Sequence, residues 1–192
     1  MSRLILASSS PRRKALLKQI GLDFEVIPSR APETWDPETA PAAVARGLAL
    51  RKAEDVARRI SSGLVIGADT LVLLEGSILG KPASREEAVQ TLEALCGKPH
   101  DVITGLAVME VESRRVIIGE ESTRVYFREI PGDEIEAYVD TGEPMDKAGA
   151  YGIQEKGVLF VRRIEGCYTN VVGLPIPKLA AILSELKVSF FR

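Results

Sequence analysis

Apolar residues recur along the chain at two different spacings, and these spacings predict strands that alternate with helices. A short apolar run reaches residue 7 and is followed by a stripe at helical spacing over 11–20, with Gly21 as its stop. A second helical stripe covers 42–60, and the most apolar run of the chain, 64–74, predicts a central strand. The first part of the chain therefore predicts a βα unit, a long helix and a buried strand.

The remainder of the chain continues this alternation. A capping box at Ser84-Arg85-Glu86-Glu87 predicts a helix that ends at Gly97. Two β-type runs joined by three polar residues predict an antiparallel hairpin over 102–111 and 115–127. Three later elements are also predicted: a short helix over 133–139, a strand over 158–164 and a closing helix over 175–186. The expected fold class is α/β, and the length favours a single domain over 1–192.

Composition and charge limit the kinds of partner. The chain has 25 basic and 27 acidic residues, so it lacks a general attraction for nucleic acid, and a small anionic ligand fits better. We expect neither a membrane span nor a signal peptide, and we expect the protein to be cytoplasmic. Cys96 and Cys167 lie far apart and are expected to be reduced thiols. His100, the single histidine, is more simply explained by a loop entering a strand than by catalysis.

The boundary between the first strand and the first helix is a candidate anion site. Ser8, Ser9 and Ser10 precede Pro11, and Arg12 and Arg13 follow it. A helix start gathers unpaired N–H groups and the positive end of the helix dipole, which suits a phosphate chain. The simpler alternative is that Ser10 is an ordinary N-cap and that the arginines are solvated.

Three charged residues occupy positions that favour a functional role. Asp69 interrupts the most apolar run, and a buried carboxylate must be paired, bound to a metal or placed at a cleft. Lys52 falls on the inward stripe of the long helix, although its side chain could also extend outward to solvent. Lys81 follows Gly80 at the end of a short strand. Together with the arginines, these residues suit nucleotide phosphates.

Two loops complete the set of candidates. The segment 141–154 is rich in glycine and contains Asp146, Lys147 and Gln154, which offer charge and an amide to a polar ring edge. A purely structural loop is the competing interpretation. The segment 29–41 is polar and proline-rich and contains Glu33 and the only tryptophan, so it reads as a surface loop that could fold over a site. Solubility alone would explain most of its carboxylates.

Five motifs, in this order, resemble the Maf family of nucleoside triphosphate pyrophosphatases. They are Ser8-Ser9-Ser10-Pro11-Arg12-Arg13, Gly67-Ala68-Asp69-Thr70, Gly80-Lys81-Pro82, the run 146–154 and Val171-Val172-Gly173-Leu174-Pro175. The resemblance implies a mixed twisted sheet flanked by helices, with two lobes and a central cleft, related to the inosine-triphosphate pyrophosphatases. It also implies cleavage of a nucleoside triphosphate to monophosphate and pyrophosphate, a divalent cation (Mg²⁺ or Mn²⁺) and a homodimer.

The same resemblance assigns roles to individual residues. Asp69 is expected to act as general base or to hold the metal, and Glu33 aligns with an acidic position that suits either task. The expected substrate-binding residues are Ser8, Arg12, Arg13, Lys52, Thr70, Lys81, Asp146, Lys147 and Gln154.

Substrate choice is expected to depend on Arg12, Thr70 and Gln154, which match the branch of the family that acts on dTTP and UTP. A branch that acts on 7-methyl-GTP differs at these positions and is one alternative. A non-catalytic nucleotide-binding regulator of septum formation is another. This sequence departs from the family pattern at Arg51, because many members of the family carry an acidic residue at this position before the helix lysine.

Overall fold

The computed structural model describes residues 3–190, and the predicted first strand, first helix, long helix and buried strand occur in the predicted order among its first five elements. They are β1 (Leu4–Leu6), α1 (Pro11–Gln19), β2 (Glu25–Val26), α2 (Pro41–Ala57) and β3 (Leu64–Leu74). β1 pairs in parallel with both β2 and β3, so the predicted βα unit is confirmed as a crossover between parallel strands. The bounds of β3 agree with the predicted central strand.

Eight further helices and strands follow, with three 3-10 segments among them. They are β4 (Ser77–Leu79), α3 (Arg85–Leu95), β5 (Pro99–Glu110), β6 (Val116–Phe127), α4 (Gly132–Val139), β7 (Val161–Glu165), α5 (Tyr168–Val172) and α6 (Ile176–Glu185). The 3-10 segments are Glu143–Asp146, Ala148–Ala150 and Lys156–Phe160.

Within residues 3–190 the strands form one seven-stranded sheet in the order β2-β1-β3-β5-β6-β7, with β4 paired to β3. The pairs β3–β4 and β6–β7 are antiparallel, so the sheet is mixed. β5 and β6 are neighbours, and Glu110 N–H donates to the Arg115 carbonyl at 2.9 Å across their short connection. A connection this short excludes a parallel crossover, which confirms the predicted hairpin.

The chain divides into two compact units. The first contains the chain up to Asp69, Thr104–Glu121 and the part from Gly173 onward, and the second contains Thr70–Ile103 and Ser122–Val172. The core of the first unit is built mainly from small and β-branched residues of β1, α2, β3 and β5, among them Ile5, Ala49, Ala53, Val65 and Ala107. Within the described residues no helix is long and apolar enough to cross a bilayer.

Serine side chains set the starts of two helices, as their positions predict. Ser10 Oγ accepts from Arg13 N–H at 3.4 Å, and Ser84 Oγ accepts from Glu87 N–H at 3.2 Å. The second half of the predicted capping box differs, because Glu87 Oε2 accepts from Ala83 N–H at 2.7 Å. The Glu87 side chain therefore binds the N–H of the residue before the N-cap rather than the N–H of the N-cap itself.

Two predicted elements need correction, and one helix was not predicted. The long helix ends at Ala57 rather than at residue 60, because the N–H groups of Arg59 and Ile60 donate to the carbonyls of Val56 and Ala57, three residues back, instead of continuing the helical pattern. The strand predicted over 158–164 is a 3-10 segment up to Phe160, whose ring is buried, and only then becomes β7. The helix α5 was not predicted, since five residues are too few to show a helical stripe.

Candidate active site

Close packing of α2 against the sheet brings Lys52 to Asp69. A Cβ atom on Gly67 of β3 would lie 2.9 Å from Ala53 N and closer still to the Ala49 carbonyl, and one on Gly105 of β5 would lie 2.6 Å from Arg46 N. Only glycine leaves room for the helix at this distance. We call this contact, formed by Ala45, Ala49 and Ala53 with Gly67 and Gly105, the small-residue seam.

The Lys52 ammonium binds two carboxylates. It forms an ion pair and hydrogen bond with Asp69 Oδ1, and it lies 2.6 Å from Glu33 Oε1. The side chains of Lys52 and Asp69 are each 11% exposed, whereas that of Glu33 is 54% exposed. Lys52 therefore points inward rather than out to solvent, and Asp69 is paired, which is one of the three alternatives that its position allows. The structure also brings Glu33, placed only by the resemblance, to the same ammonium.

The loop after β1 forms a second polar cluster in the same unit. Ser8 is buried, and its Oγ accepts from Ser10 N–H at 3.2 Å and from Arg13 Nη1 at 3.3 Å. Arg13 Nε donates to the Gly173 carbonyl at 2.8 Å, where Gly173 has a positive φ of 122°. Both contacts fix the guanidinium at the start of α1.

Burial and nearby carboxylates shift the pKa of Arg13 in opposite directions. Burial, the largest effect, lowers the pKa of Arg13, and the neighbouring charge of Arg12 lowers it further. The carboxylates of Asp69 and Glu33 raise it. An anion would oppose the burial effect in the same way as these carboxylates, since a buried cation gains from a nearby negative charge.

In the second unit, a backbone contact joins the Lys81 strand end to the glycine-rich segment. Gly149 N–H donates to the Gly80 carbonyl at 3.0 Å, next to the exposed Lys81. Gly149 has a φ of 68°, and a Cβ there would lie 2.8 Å from Val72 Cγ1. The segment 148–150 is therefore fixed beside Lys81.

The Lys147 ammonium is surrounded by protein oxygens. It lies 2.6 Å from the Glu143 carbonyl, 2.8 Å from Asp146 Oδ1 and 3.2 Å from Glu155 Oε2, and its side chain is 6% exposed. Gln154 is exposed and directly precedes Glu155 of this cluster. Thr70, half-buried, follows Asp69 in β3 and is the first residue of the second unit.

Sequence reasoning missed the residue that organises this segment. Glu143 accepts from Tyr138 O–H at 2.8 Å, from Gly157 N–H at 3.1 Å and from Lys156 N–H at 3.1 Å. These partners are up to 14 residues away, so no local pattern marks the role. The role of the Gly173 carbonyl as acceptor for Arg13 was also missed, because a backbone acceptor is not marked by any residue type in the sequence.

His100 has a structural role. Its side chain is buried, and its Nε2 lies 2.8 Å from the hydroxyl of Tyr151. Burial lowers the pKa of His100 to about 4, so the imidazole is neutral near pH 7. Cys96 and Cys167 are free thiols, as predicted.

The donor set at Lys52 fits a divalent cation of the magnesium type. Within residues 3–190 no group of three or more His, Cys, Asp or Glu residues could hold a metal ion. Mg²⁺ commonly binds proteins through one or two carboxylates and takes its other ligands from water and substrate phosphates. Glu33 and Asp69, which share the Lys52 ammonium, form such a pair.

The fold and the Lys52 cluster define an α/β protein with a carboxylate and basic site suited to phosphates. A solved structure, that of the Staphylococcus aureus Ham1 protein, is similar with a TM-score of 0.54 at 17% identity and covers 95% of this chain and 98% of its own. This likeness confirms the predicted α/β fold class.

The family follows from the sequence comparison. The model of the family described as Maf-like protein matches residues 3–186, and the chain belongs to this family. A Pelotomaculum thermopropionicum protein named dTTP/UTP pyrophosphatase is 50% identical over 96% of this chain and 97% of its own length. Proteins with the same name from Caldicellulosiruptor saccharolyticus and Acetivibrio thermocellus are 46% and 47% identical, over 97% and 100% of this chain and 96% and 99% of their own lengths.

Proposed function

We propose that this protein is a nucleoside triphosphate pyrophosphatase that hydrolyses dTTP and UTP to the monophosphate and pyrophosphate. The observation that carries the proposal is the Lys52 ammonium held between the carboxylates of Glu33 and Asp69. Membership of the Maf family and the shared name of its relatives support the same activity.

Asp69 is assigned as the general base. Its carboxylate accepts a proton from a water molecule as the water oxygen bonds to the α-phosphorus of the substrate. The bond between the α-phosphorus and the bridging oxygen to the β-phosphorus breaks, and pyrophosphate leaves with the electron pair. The buried ion pair with Lys52 fixes the direction of the Asp69 carboxylate during this step.

Cationic side chains are assigned to the phosphates. Arg12, Arg13 and Lys52 supply positive charge, and Ser8 orients Arg13. Lys81 is assigned to the phosphates on its motif alone. Fixed positive groups stabilise the charge that develops on a phosphate during cleavage.

A divalent cation, Mg²⁺ or Mn²⁺, is proposed as cofactor, with Glu33 and Asp69 as its protein ligands. When bound, such a cation neutralises phosphate oxygens and makes coordinated water more acidic. Homodimerisation stays a prediction of the resemblance, and sedimentation of the purified protein tests it.

Base selection is assigned to Arg12, Thr70 and Gln154. An amide both donates and accepts hydrogen bonds, which matches a pyrimidine edge that presents carbonyl oxygens and an N–H. Asp146 and Lys147 are assigned to the same part of the substrate site. A site built on hydrogen bonds disfavours the wrong base because its own polar groups are then left unpaired.

The test is pyrophosphate release with Mg²⁺ or Mn²⁺ from dTTP, UTP, CTP, GTP and 7-methyl-GTP. We expect the wild-type protein to prefer dTTP and UTP, and Asp69→Asn to abolish turnover while circular dichroism shows a folded protein. The matched control is Asp23→Asn, which changes an exposed aspartate and should leave turnover unchanged. A folded Asp69→Asn variant with normal turnover would contradict the assignment. A preference for 7-methyl-GTP would refute the assignment of dTTP and UTP as substrates. Nucleotide binding without cleavage would favour a non-catalytic regulator.

A further inference from the structure

We propose that Arg51 is a positioning residue that places Glu33 at the Lys52 ammonium by holding the segment 28–34 along α2. We call this segment the Glu33 loop. The proposal rests on the proposed function, because it concerns the same carboxylate.

The first half of the Glu33 loop is attached near the end of α2. Arg30 N–H donates to Asp55 Oδ2 at 2.8 Å, and Arg59 Nη2 donates to the Pro28 carbonyl at 2.8 Å. Arg59, two residues beyond the end of α2, also binds Asp55 Oδ2 at 2.9 Å, so these two side chains hold each other in place. The Arg30 N–H bond is the largest of the effects that lower the pKa of Asp55.

The second half of the Glu33 loop is attached one turn earlier on α2. Arg51 Nη2 donates to the Thr34 carbonyl at 2.6 Å, directly after the residue whose carboxylate binds Lys52. Arg51 is half-buried, whereas Glu33 and Thr34 are exposed. The loop residues next to the carboxylate are therefore held by a side chain of the helix rather than by burial.

Helix geometry explains why these contacts form a line. Arg51 and Asp55 lie one turn apart on α2 with Lys52 between them, and Arg59 lies two residues beyond the end of the helix, where it still binds Asp55. The loop meets them in reverse order, so it runs antiparallel to the helix. An exposed segment without helix or strand gains little from packing, and hydrogen bonds to a helix are then what restrict its conformations.

An acidic residue at position 51 could not make the same contact, because a carboxylate has no proton to donate to a carbonyl. Lys52 remains on the inward side, and Arg51 takes the adjacent place facing the loop. The arrangement fixes Glu33 without using any of the oxygens that bind Lys52 or a cation.

The kinetic test compares Arg51→Ala with Glu33→Gln and with both changes combined. Loss of one charge-assisted restraint on a catalytic group predicts that kcat for dTTP falls about tenfold in Arg51→Ala. We expect KM to change less than kcat, and the double variant to be no slower than Glu33→Gln alone. Arg51→Lys, which can still donate to the Thr34 carbonyl, should recover part of the loss. The matched control is Arg58→Ala, since Arg58 is exposed, directly follows the end of α2 and forms an ion pair with Glu54 of that helix.

Trp35 gives a second readout that does not depend on activity. It is the only tryptophan of the chain, is 40% exposed and adjoins Thr34. Arg51→Ala should raise acrylamide quenching of its fluorescence and lower its anisotropy, whereas Arg58→Ala should change neither.

Three outcomes overturn the proposal: wild-type kcat in Arg51→Ala, multiplicative losses in the double variant, or unchanged Trp35 fluorescence. Absence of pyrophosphatase activity in the wild-type protein would instead overturn the proposed function, and the fluorescence comparison would still test the placement of the loop.

Discussion

Replacing Gly67 by alanine tests whether the small-residue seam sets the position of Lys52. The added Cβ would lie 2.9 Å from Ala53 N and 3.1 Å from Ala53 Cβ, and closer still to the Ala49 carbonyl. Ordinary van der Waals contact begins at about 3.5 Å between heavy atoms, so α2 must move outward by a distance on the order of 1 Å. Lys52 lies between Ala49 and Ala53 in the helix and must move with it.

Two effects of known size follow from this displacement. Overfilling a packed interior destabilises a protein by about 1 to 3 kcal/mol, which lowers Tm by about 2 to 12 °C in a domain of this size. Misplacing a catalytic group by about 1 Å lowers the rate by about 100-fold. We therefore expect a folded but less stable protein whose kcat/KM falls far more than its stability alone explains.

The assay pairs thermal unfolding with kcat/KM for dTTP well below Tm. Gly119→Ala is the control, because a Cβ on this glycine of β6 would meet nothing closer than Lys178 Cδ at 3.5 Å. It should match wild type in both measurements. Wild-type stability and activity in Gly67→Ala would refute the argument that glycine is required for the approach of α2.

Two further predictions concern base choice and pH. Gln154→Ala, at an exposed position, should leave Tm within about 2 °C of wild type and reduce the preference for dTTP over GTP about tenfold, measured as a ratio of kcat/KM values. An unchanged ratio would remove Gln154 from base recognition. Burial lowers the pKa of His100 from 6.5 to about 4. Between pH 6.5 and pH 4 the unfolded chain therefore binds a proton at His100 that the folded protein does not bind. The wild-type protein should thus lose about 3 kcal/mol of stability as pH falls from 6.5 to 4, and urea unfolding of His100→Gln should lack this part of the slope.

The parts of the fold that sequence reasoning predicted well have strong local signals. The eleven residues of β3 form an apolar run bounded by glycines, and the structure reproduces its ends. Lys52 lies four residues from Leu48 and from Val56, which fixes its direction once the helix forms. Ser84 likewise caps α3 because an N-cap depends on residues three positions apart.

The parts that were missed depend on distant partners. The segment 158–160 looks like the start of a strand, but its chain is fixed in a 3-10 turn where Phe160 packs edge to face against Tyr138, with ring centroids 4.9 Å apart. The role of Arg51 could not be predicted without knowing the path of a loop 17 residues away in the sequence. Glu33 was placed by family resemblance, because an exposed acid in a polar loop has no distinguishing pattern of its own.

Asp69 also matters for the chain before it folds. It is the only charged residue in the eleven-residue segment Leu64–Leu74, which is otherwise almost entirely apolar. Segments of this kind self-associate as β-aggregates when exposed, and an internal charge opposes that association. The residue assigned to proton transfer therefore also protects the nascent polypeptide. Variants that neutralise it are best prepared at low concentration and low temperature, so that precipitation is not mistaken for loss of catalysis.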